Sequence, residues 1–174
     1  MILGLYGGSF NPPHNGHVAL ARKALDELRL DRLIWMPSGS PPHRELPDNT
    51  PSAAHRLAMS KLAAGRLRDT EVSSFELYGG AQYTYDTVKT LLEREKPETL
   101  WLLMGSDMGD TFDMWVRADE LRALCKTYVC PRTALPVSST EIRGLLARGL
   151  GGDMLPAEVY DYIQKEGLYG CPRP

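Results

Sequence analysis

Two histidines three residues apart, His14 and His17, sit in the run Gly7-Gly8-Ser9-Phe10-Asn11-Pro12-Pro13-His14-Asn15-Gly16-His17. Paired imidazoles one helical turn apart can donate hydrogen bonds to a common anion. The run follows a short apolar stretch, Ile2 to Tyr6, and precedes Val18, Ala21, Leu25 and Leu28, which recur at helical spacing. Strand, loop and helix are therefore expected, with the histidines at the helix N-terminus, where unpaired amides and the positive dipole end favour negative charge. The glycines let the backbone turn sharply and admit a bulky polyphosphate. A Gly- and Pro-rich connection beside two surface histidines is the plainer alternative, and the eleven residues taken together in this setting outweigh it. The chain has no GKS or GKT for a Walker loop, and Gly4-Leu5-Tyr6-Gly7-Gly8 does not fit GxGxxG.

Four further constellations carry groups suited to the same chemistry. Pro37-Ser38-Gly39-Ser40-Pro41-Pro42-His43-Arg44 is too punctuated with proline for regular structure, and the guanidinium of Arg44 can hold a phosphate or carboxylate through two parallel hydrogen bonds. Tyr83-Thr84-Tyr85-Asp86-Thr87 opens a helix, where Thr84 could equally be a simple cap. Gly105-Ser106-Asp107 ends an apolar strand, so Asp107 is placed for ribose hydroxyls or to cap a helix, and Trp115 is either a flat face for a heteroaromatic ring or a core residue. Val137-Ser138-Ser139-Thr140-Glu141-Ile142-Arg143 offers three hydroxyls at a helix start with an arginine one turn in; a capping box explains Ser138 and Glu141 but not Arg143.

These groups need elements to hold them. The period of the chain predicts strands at 2–6, 33–36, 71–76, 99–104 and 127–130, and helices at 16–29, 51–64, 85–95 and 117–125, with two more at the end. Alternation of this kind implies a doubly wound, Rossmann-like α/β fold, a parallel sheet of about five strands with helices on both faces and ligands at the carboxyl ends of the strands. Thr50-Pro51 offers a cap for the second helix, Thr84 for the third, and Ser138 with Glu141 a capping box, with Gly149 placed to end that helix.

With 174 residues and 43% hydrophobic content, the chain can bury one substantial core. A formal net charge of -2 argues against a general nucleic-acid binder. Cys125, Cys130 and Cys171 are odd in number and form no CxxC, which indicates neither a disulfide framework nor a zinc site and suits a reducing cytoplasm. The longest apolar runs have strand length, so neither a signal peptide nor a membrane span is expected.

The HxGH run resembles the nucleotidyltransferase superfamily that includes class I aminoacyl-tRNA synthetases and small adenylyl- and cytidylyltransferases. With GGSFNPPHNGH, SGSPPHR, YTYDT, GSD followed by FDMW, and VSSTEIR in one order, the chain resembles the bacterial nicotinate-nucleotide adenylyltransferases over nearly its whole length, as does its ending through Gly167-Leu168-Tyr169. The resemblance implies a single nucleotidyltransferase domain over 1–174 that transfers AMP from ATP to nicotinic acid mononucleotide and releases pyrophosphate. It places ATP on Gly8, Ser9 and Phe10, on His14 and His17, on Gly105 and Asp107, and on Ser138, Ser139, Thr140 and Arg143. His14, His17 and Arg143 would carry the catalysis. The mononucleotide would fall near Arg44, Tyr83 and Thr84, with its pyridine ring near Trp115.

Attack by an already anionic phosphate oxygen requires no strong general base, and Mg²⁺ is expected to ride on the phosphates of ATP rather than in a protein cage. The expected partners are small molecules, with neither nucleic acid nor membrane, and the oligomeric state is not readable. Two features depart from the family. Glu76-Leu77 is followed by Tyr78-Gly79-Gly80 without the usual arginine, with Gln82 in place of serine, and only a short segment separates Cys130-Pro131-Arg132 from Val137. Another small-molecule adenylyltransferase of the pantetheine-phosphate type, or a nucleotide binder with impaired catalysis, are the alternatives.

Overall fold

A computed structural model describes residues 1–40, 45–131 and 137–174, so the anticipated contact Arg44 lies outside the described residues. Five strands, β1 (Ile2–Gly8), β2 (Arg32–Pro37), β3 (Thr70–Val72), β4 (Thr99–Gly105) and β5 (Lys126–Cys130), form one sheet in the order β3-β2-β1-β4-β5. Every pairing is parallel, with Leu5 of β1 beside Ile34 of β2 on one side and Leu102 of β4 on the other. Helices α1 (Asn15–Glu27), α2 (Ala53–Ala64) and α3 (Thr84–Glu95) follow the first three strands in turn. Helices α4 (Ser106–Asp110) and α5 (Ala118–Leu124) follow β4, and α6 (Ser139–Leu146) and α7 (Ala157–Glu166) come after β5.

Alternating side chains explain the two layers. Leu3 and Leu5, Ile34 and Met36, and Leu100, Leu102 and Met104 face Val88 and Leu91 of α3 and Leu121 of α5. Tyr6, Leu33, Trp35 and Leu103 face Ala21 and Leu25 of α1, Met59 and Ala63 of α2, Ile142 of α6, and Val159 and Ile163 of α7. Burial on both faces is why the central strands read as nearly continuous apolar runs. The chain winds away from β1 through β2 to β3, and from β4 to β5 on the opposite side, so the order of winding reverses between the parallel neighbours β1 and β4. The crevice beyond Gly8 and Gly105 is therefore the expected ligand position. Among the described residues, no helix is long and apolar enough to cross a membrane.

Several local expectations need correction. Strand β3 stops at Val72 rather than continuing to 76. The Ser73 amide still donates to the Trp35 carbonyl at 2.9 Å, but the Ser73 hydroxyl then accepts from the Phe75 amide, which turns the edge of the sheet into a loop. The cap of α2 is Ser52, whose hydroxyl accepts from the His55 amide at 3.3 Å, and Thr50 serves elsewhere. Thr84 is the first residue of α3, capped by Tyr83 without a side-chain bond. Ser138 does cap α6, accepting from the Glu141 amide at 3.2 Å. Gly149 closes that helix as expected: with φ of +72° its amide donates to the Leu146 carbonyl and the Leu150 amide to the Leu145 carbonyl, both at 2.9 Å.

Candidate active site

The first turn of α1 is closed by its own histidines. His14 is the N-cap, and its Nδ1 accepts from the amides of Gly16 at 3.0 Å and His17 at 3.3 Å. His17 Nδ1 in return accepts from the His14 amide at 3.0 Å. Both Nδ1 atoms are thus acceptors, which assigns each neutral ring its proton on Nε2. The helix start therefore differs from the unpaired amides expected there, because those of Gly16 and His17 are already taken by the His14 ring. The two rings stack with centroids 3.7 Å apart. Burial, and then the positive charge that His14 can carry, hold His17 well below the ordinary imidazole range.

Phe10 supports this pair from below. It is 1% exposed, with its ring 4.5 Å from Trp35, 5.3 Å from Tyr6 and edge-on to His17 at 5.0 Å. Its φ of +44° is left-handed, a conformation that costs a side-chain-bearing residue about 1–2 kcal/mol. The aromatic cluster holds it there. The ring is therefore core, and Phe10 can meet a nucleotide only through its backbone.

Helix α6 docks directly on the same loop. Ser139 donates its hydroxyl to the Pro12 carbonyl at 3.0 Å. Arg143 donates to the Asn11 carbonyl at 2.8 Å and to the Thr140 hydroxyl at 3.2 Å. The Asn11 side chain, itself 1% exposed, accepts from the Tyr169 hydroxyl at 2.6 Å and donates to Thr50 at 2.9 Å. Residues from the loop after β1, the segment before α2, helix α6 and the turn at Tyr169 are thereby knitted into one unit.

Two cavities open beyond the carboxyl ends of β1 and β4. The smaller, about 360 Å³, is lined by Gly8, Ser9, Phe10, His14 and His17 on one side, Gly105 and Asp107 on a second, and Ser138, Ser139, Thr140 and Arg143 on a third. The larger, about 570 Å³, is bounded by Ser38, Gly39, Glu76, Gln82, Thr84 and Trp115. Gly7, Gly8, Ser9, Met108 and Arg143 line both, so the cavities share a wall. Each volume lies in the range typical of small-molecule sites.

The structure thus gathers every anticipated ATP residue around one cavity. Thr84 and Trp115 border the other, while Tyr83 lies outside both linings. Trp115 is half-buried, with its ring 5.1 Å from Phe112, so it belongs to the core edge and to the cavity wall at once. Glu76 also faces the larger cavity; desolvation raises its carboxyl above the usual range, partly offset by the Thr87 hydroxyl, which donates to it at 2.6 Å. Among the described residues, no three His, Cys, Asp or Glu side chains cluster to hold a metal ion.

Residues 5–145 match the sequence model of the Cytidylyltransferase-like family. A protein of Streptococcus pneumoniae, named "Probable nicotinate-nucleotide adenylyltransferase", is 36% identical over 185 residues, which is 96% of this chain and 88% of the relative. A Synechococcus protein of the same name is 40% identical over 201 residues, 98% of each chain. The chain belongs to the nicotinate-nucleotide adenylyltransferase family. A Plasmodium falciparum nicotinic acid mononucleotide adenylyltransferase complexed with NaAD shares the fold, with a TM-score of 0.78, 20% identity and 98% of both chains covered.

In this member of the nicotinate-nucleotide adenylyltransferase family, three supporting residues escape a reading of motifs. Asn11 stands inside the first run, but its role depends on Tyr169 and Thr50, which are distant in sequence. Arg56 of α2 is 3% exposed and donates to the carbonyls of Ser9 and Ser38, although in sequence it looks like one more solvated helix charge. Tyr169 is recognisable only from its place in the closing GLY, and its hydroxyl partner is invisible there.

Proposed function

We propose that the protein transfers the adenylyl group of ATP to nicotinic acid mononucleotide, giving nicotinic acid adenine dinucleotide and pyrophosphate in NAD biosynthesis. The observation that carries this reading is the shared wall between the cavities, because adenylyl transfer needs two nucleotides whose phosphates meet. ATP occupies the smaller cavity, its triphosphate between the two imidazoles and the α6 hydroxyl–arginine cluster, with Gly105 and Asp107 at the adenosine end. The mononucleotide occupies the larger cavity, its pyridine ring against Trp115. Support comes from the linings described above and from the names of the relatives.

A phosphate oxygen of the mononucleotide attacks the α-phosphorus in line. The new P–O bond forms as the bond to the bridging oxygen breaks, and the electron pair leaves with pyrophosphate. The Nε2–H edges of His14 and His17 donate to phosphoryl oxygens, and Arg143 spans the two sites as the fixed positive charge. Donors preorganised in a partly closed cavity supply such stabilisation without reorganising during the reaction. The donor set, rich in N–H groups and with Asp107 as the carboxylate, suits Mg²⁺ carried on phosphate oxygens, where it would neutralise part of their charge.

We further read residues 1–174 as one catalytic domain, because both helical layers pack on the same sheet. The cytoplasm is its proposed location, since all three cysteines are free thiols. The test is to incubate the protein with Mg²⁺ and ATP and, separately, nicotinic acid mononucleotide, its amide counterpart or phosphopantetheine, and to follow pyrophosphate. Release with the acid mononucleotide is expected. Release only with phosphopantetheine would reassign the acceptor, and silence with all three would mark a nucleotide binder.

A further inference from the structure

Arg56 is a buried cation that the chemistry above does not use. It lies one turn into α2, lines neither cavity, and has no carboxylate within ion-pair distance among the described residues. One terminal nitrogen donates to two backbone carbonyls, that of Ser9 at 3.1 Å and that of Ser38 at 2.6 Å, while its buried Nε meets no described acceptor. A charge removed from water without a counter-charge is costly, so its retention calls for a role.

The two carbonyls supply one. In a trans peptide the carbonyl and the following N–H point in opposite directions. When the Ser9 carbonyl turns towards Arg56, the Phe10 amide faces the other way, and the Ser38 carbonyl does the same for the Gly39 amide. Ser9 borders both cavities, and Ser38 and Gly39 border the larger one. Neither amide donates to a described residue. Both residues are also closely constrained by their surroundings. Phe10 is left-handed at +44°, and a Cβ on Gly39 would come within 2.6 Å of the Glu76 carbonyl.

We propose that Arg56 is a positioning residue: from behind the site it pins the Ser9 and Ser38 carbonyls and thereby aims the Phe10 and Gly39 amides at the phosphates of the two nucleotides. This rests on the adenylyl-transfer reading. It also couples the loops after β1 and β2, so that the two phosphate sites keep a fixed spacing.

The decisive comparison is Arg56→Met, which keeps bulk but removes the donors, against Arg56→Lys, which can still donate to both carbonyls. Arg56→Met should lower kcat/KM on the order of 10²-fold, chiefly through kcat, with Arg56→Lys recovering roughly tenfold or more of that loss. A folded Arg56→Met variant within about threefold of the parent overturns the proposal. A second measurement needs no variant: the Phe10 and Gly39 amide resonances of the unsubstituted protein, followed by NMR during titration with a non-hydrolysable ATP analogue and nicotinic acid mononucleotide. Both should shift strongly, and two unmoved amides at saturation overturn it equally. Shifted amides in a protein that releases no pyrophosphate would sink the reaction assigned above while leaving the role of Arg56 standing.

Discussion

His14 and His17 cap each other: each Nδ1 accepts the other's backbone N–H, at 3.0 Å into His17 and 3.3 Å into His14. The cap also has a chemical consequence, because it commits both inner nitrogens to the backbone and leaves the proton of each neutral ring on Nε2. Replacing His17 with alanine should slow turnover by roughly 10²-fold or more, while loss of its half of the cap costs about 1 kcal/mol of stability. Steady-state kinetics and a urea melt on the same sample separate the two effects. Near-normal turnover in the folded variant would remove His17 from the reaction.

The depressed pKa of His17 has a sign that can be measured. In the unfolded chain an imidazole titrates near the ordinary value of 6.5, whereas burial and His14 keep the folded group neutral well below it. Between those two values only the unfolded chain takes up the proton, so this contribution to stability is complete above about pH 6.5 and declines as pH falls, with a slope no steeper than about 1.4 kcal/mol per unit. His17→Asn, which can still accept the His14 amide but does not titrate, should flatten the decline between pH 6.5 and 5. Identical slopes for parent and variant would show that His17 is protonated in the folded state as readily as in the unfolded one.

Trp115 lines the larger cavity, and its ring lies tilted against that of Phe112 with centroids 5.1 Å apart. Trp115→Ala should weaken mononucleotide binding by about 1 kcal/mol and leave ATP binding nearly unchanged, as judged by calorimetric titration of each ligand. Equal losses for both would mean that the ring acts only as core.

The Tyr169 hydroxyl, donating to buried Asn11 at 2.6 Å, ties the last turn of the chain to the loop that Arg143 grips. Tyr169→Phe leaves that Asn11 acceptor buried and unmet, and should destabilise the fold by about 1–3 kcal/mol in denaturant melts. Turnover should fall with it, because Asn11 carries the carbonyl on which Arg143 rests. Unaltered stability and turnover would show the bond to be incidental.

What a sequence reveals here follows the range of the interactions. The core strands were legible because alternation is local and both faces are buried, as Leu3, Leu5, Ile34 and Leu102 show. The Ser138 cap was legible for the same reason, its partner being three residues away. Thr50 misled because its hydroxyl is claimed by Asn11, 39 residues distant, leaving the cap to Ser52. Ser73 ended β3 early through a hydroxyl that competes with the sheet. Arg56 was hidden because nothing near it in the chain reveals that α2 lies over two loop carbonyls. The two histidines were legible as a pair, but their reciprocal cap depends on ring orientation, which residue identity does not carry.

The central claim is that both imidazoles and the Ser138–Arg143 cluster serve one triphosphate. A crystal structure of the protein with a non-hydrolysable ATP analogue tests it most directly. The account predicts a single analogue in the smaller cavity, with phosphate oxygens within hydrogen-bond distance of His14 or His17 Nε2 on one side and of the α6 hydroxyls or Arg143 on the other. A triphosphate bound with either group out of reach, or seated in the cavity beside Trp115, would contradict it.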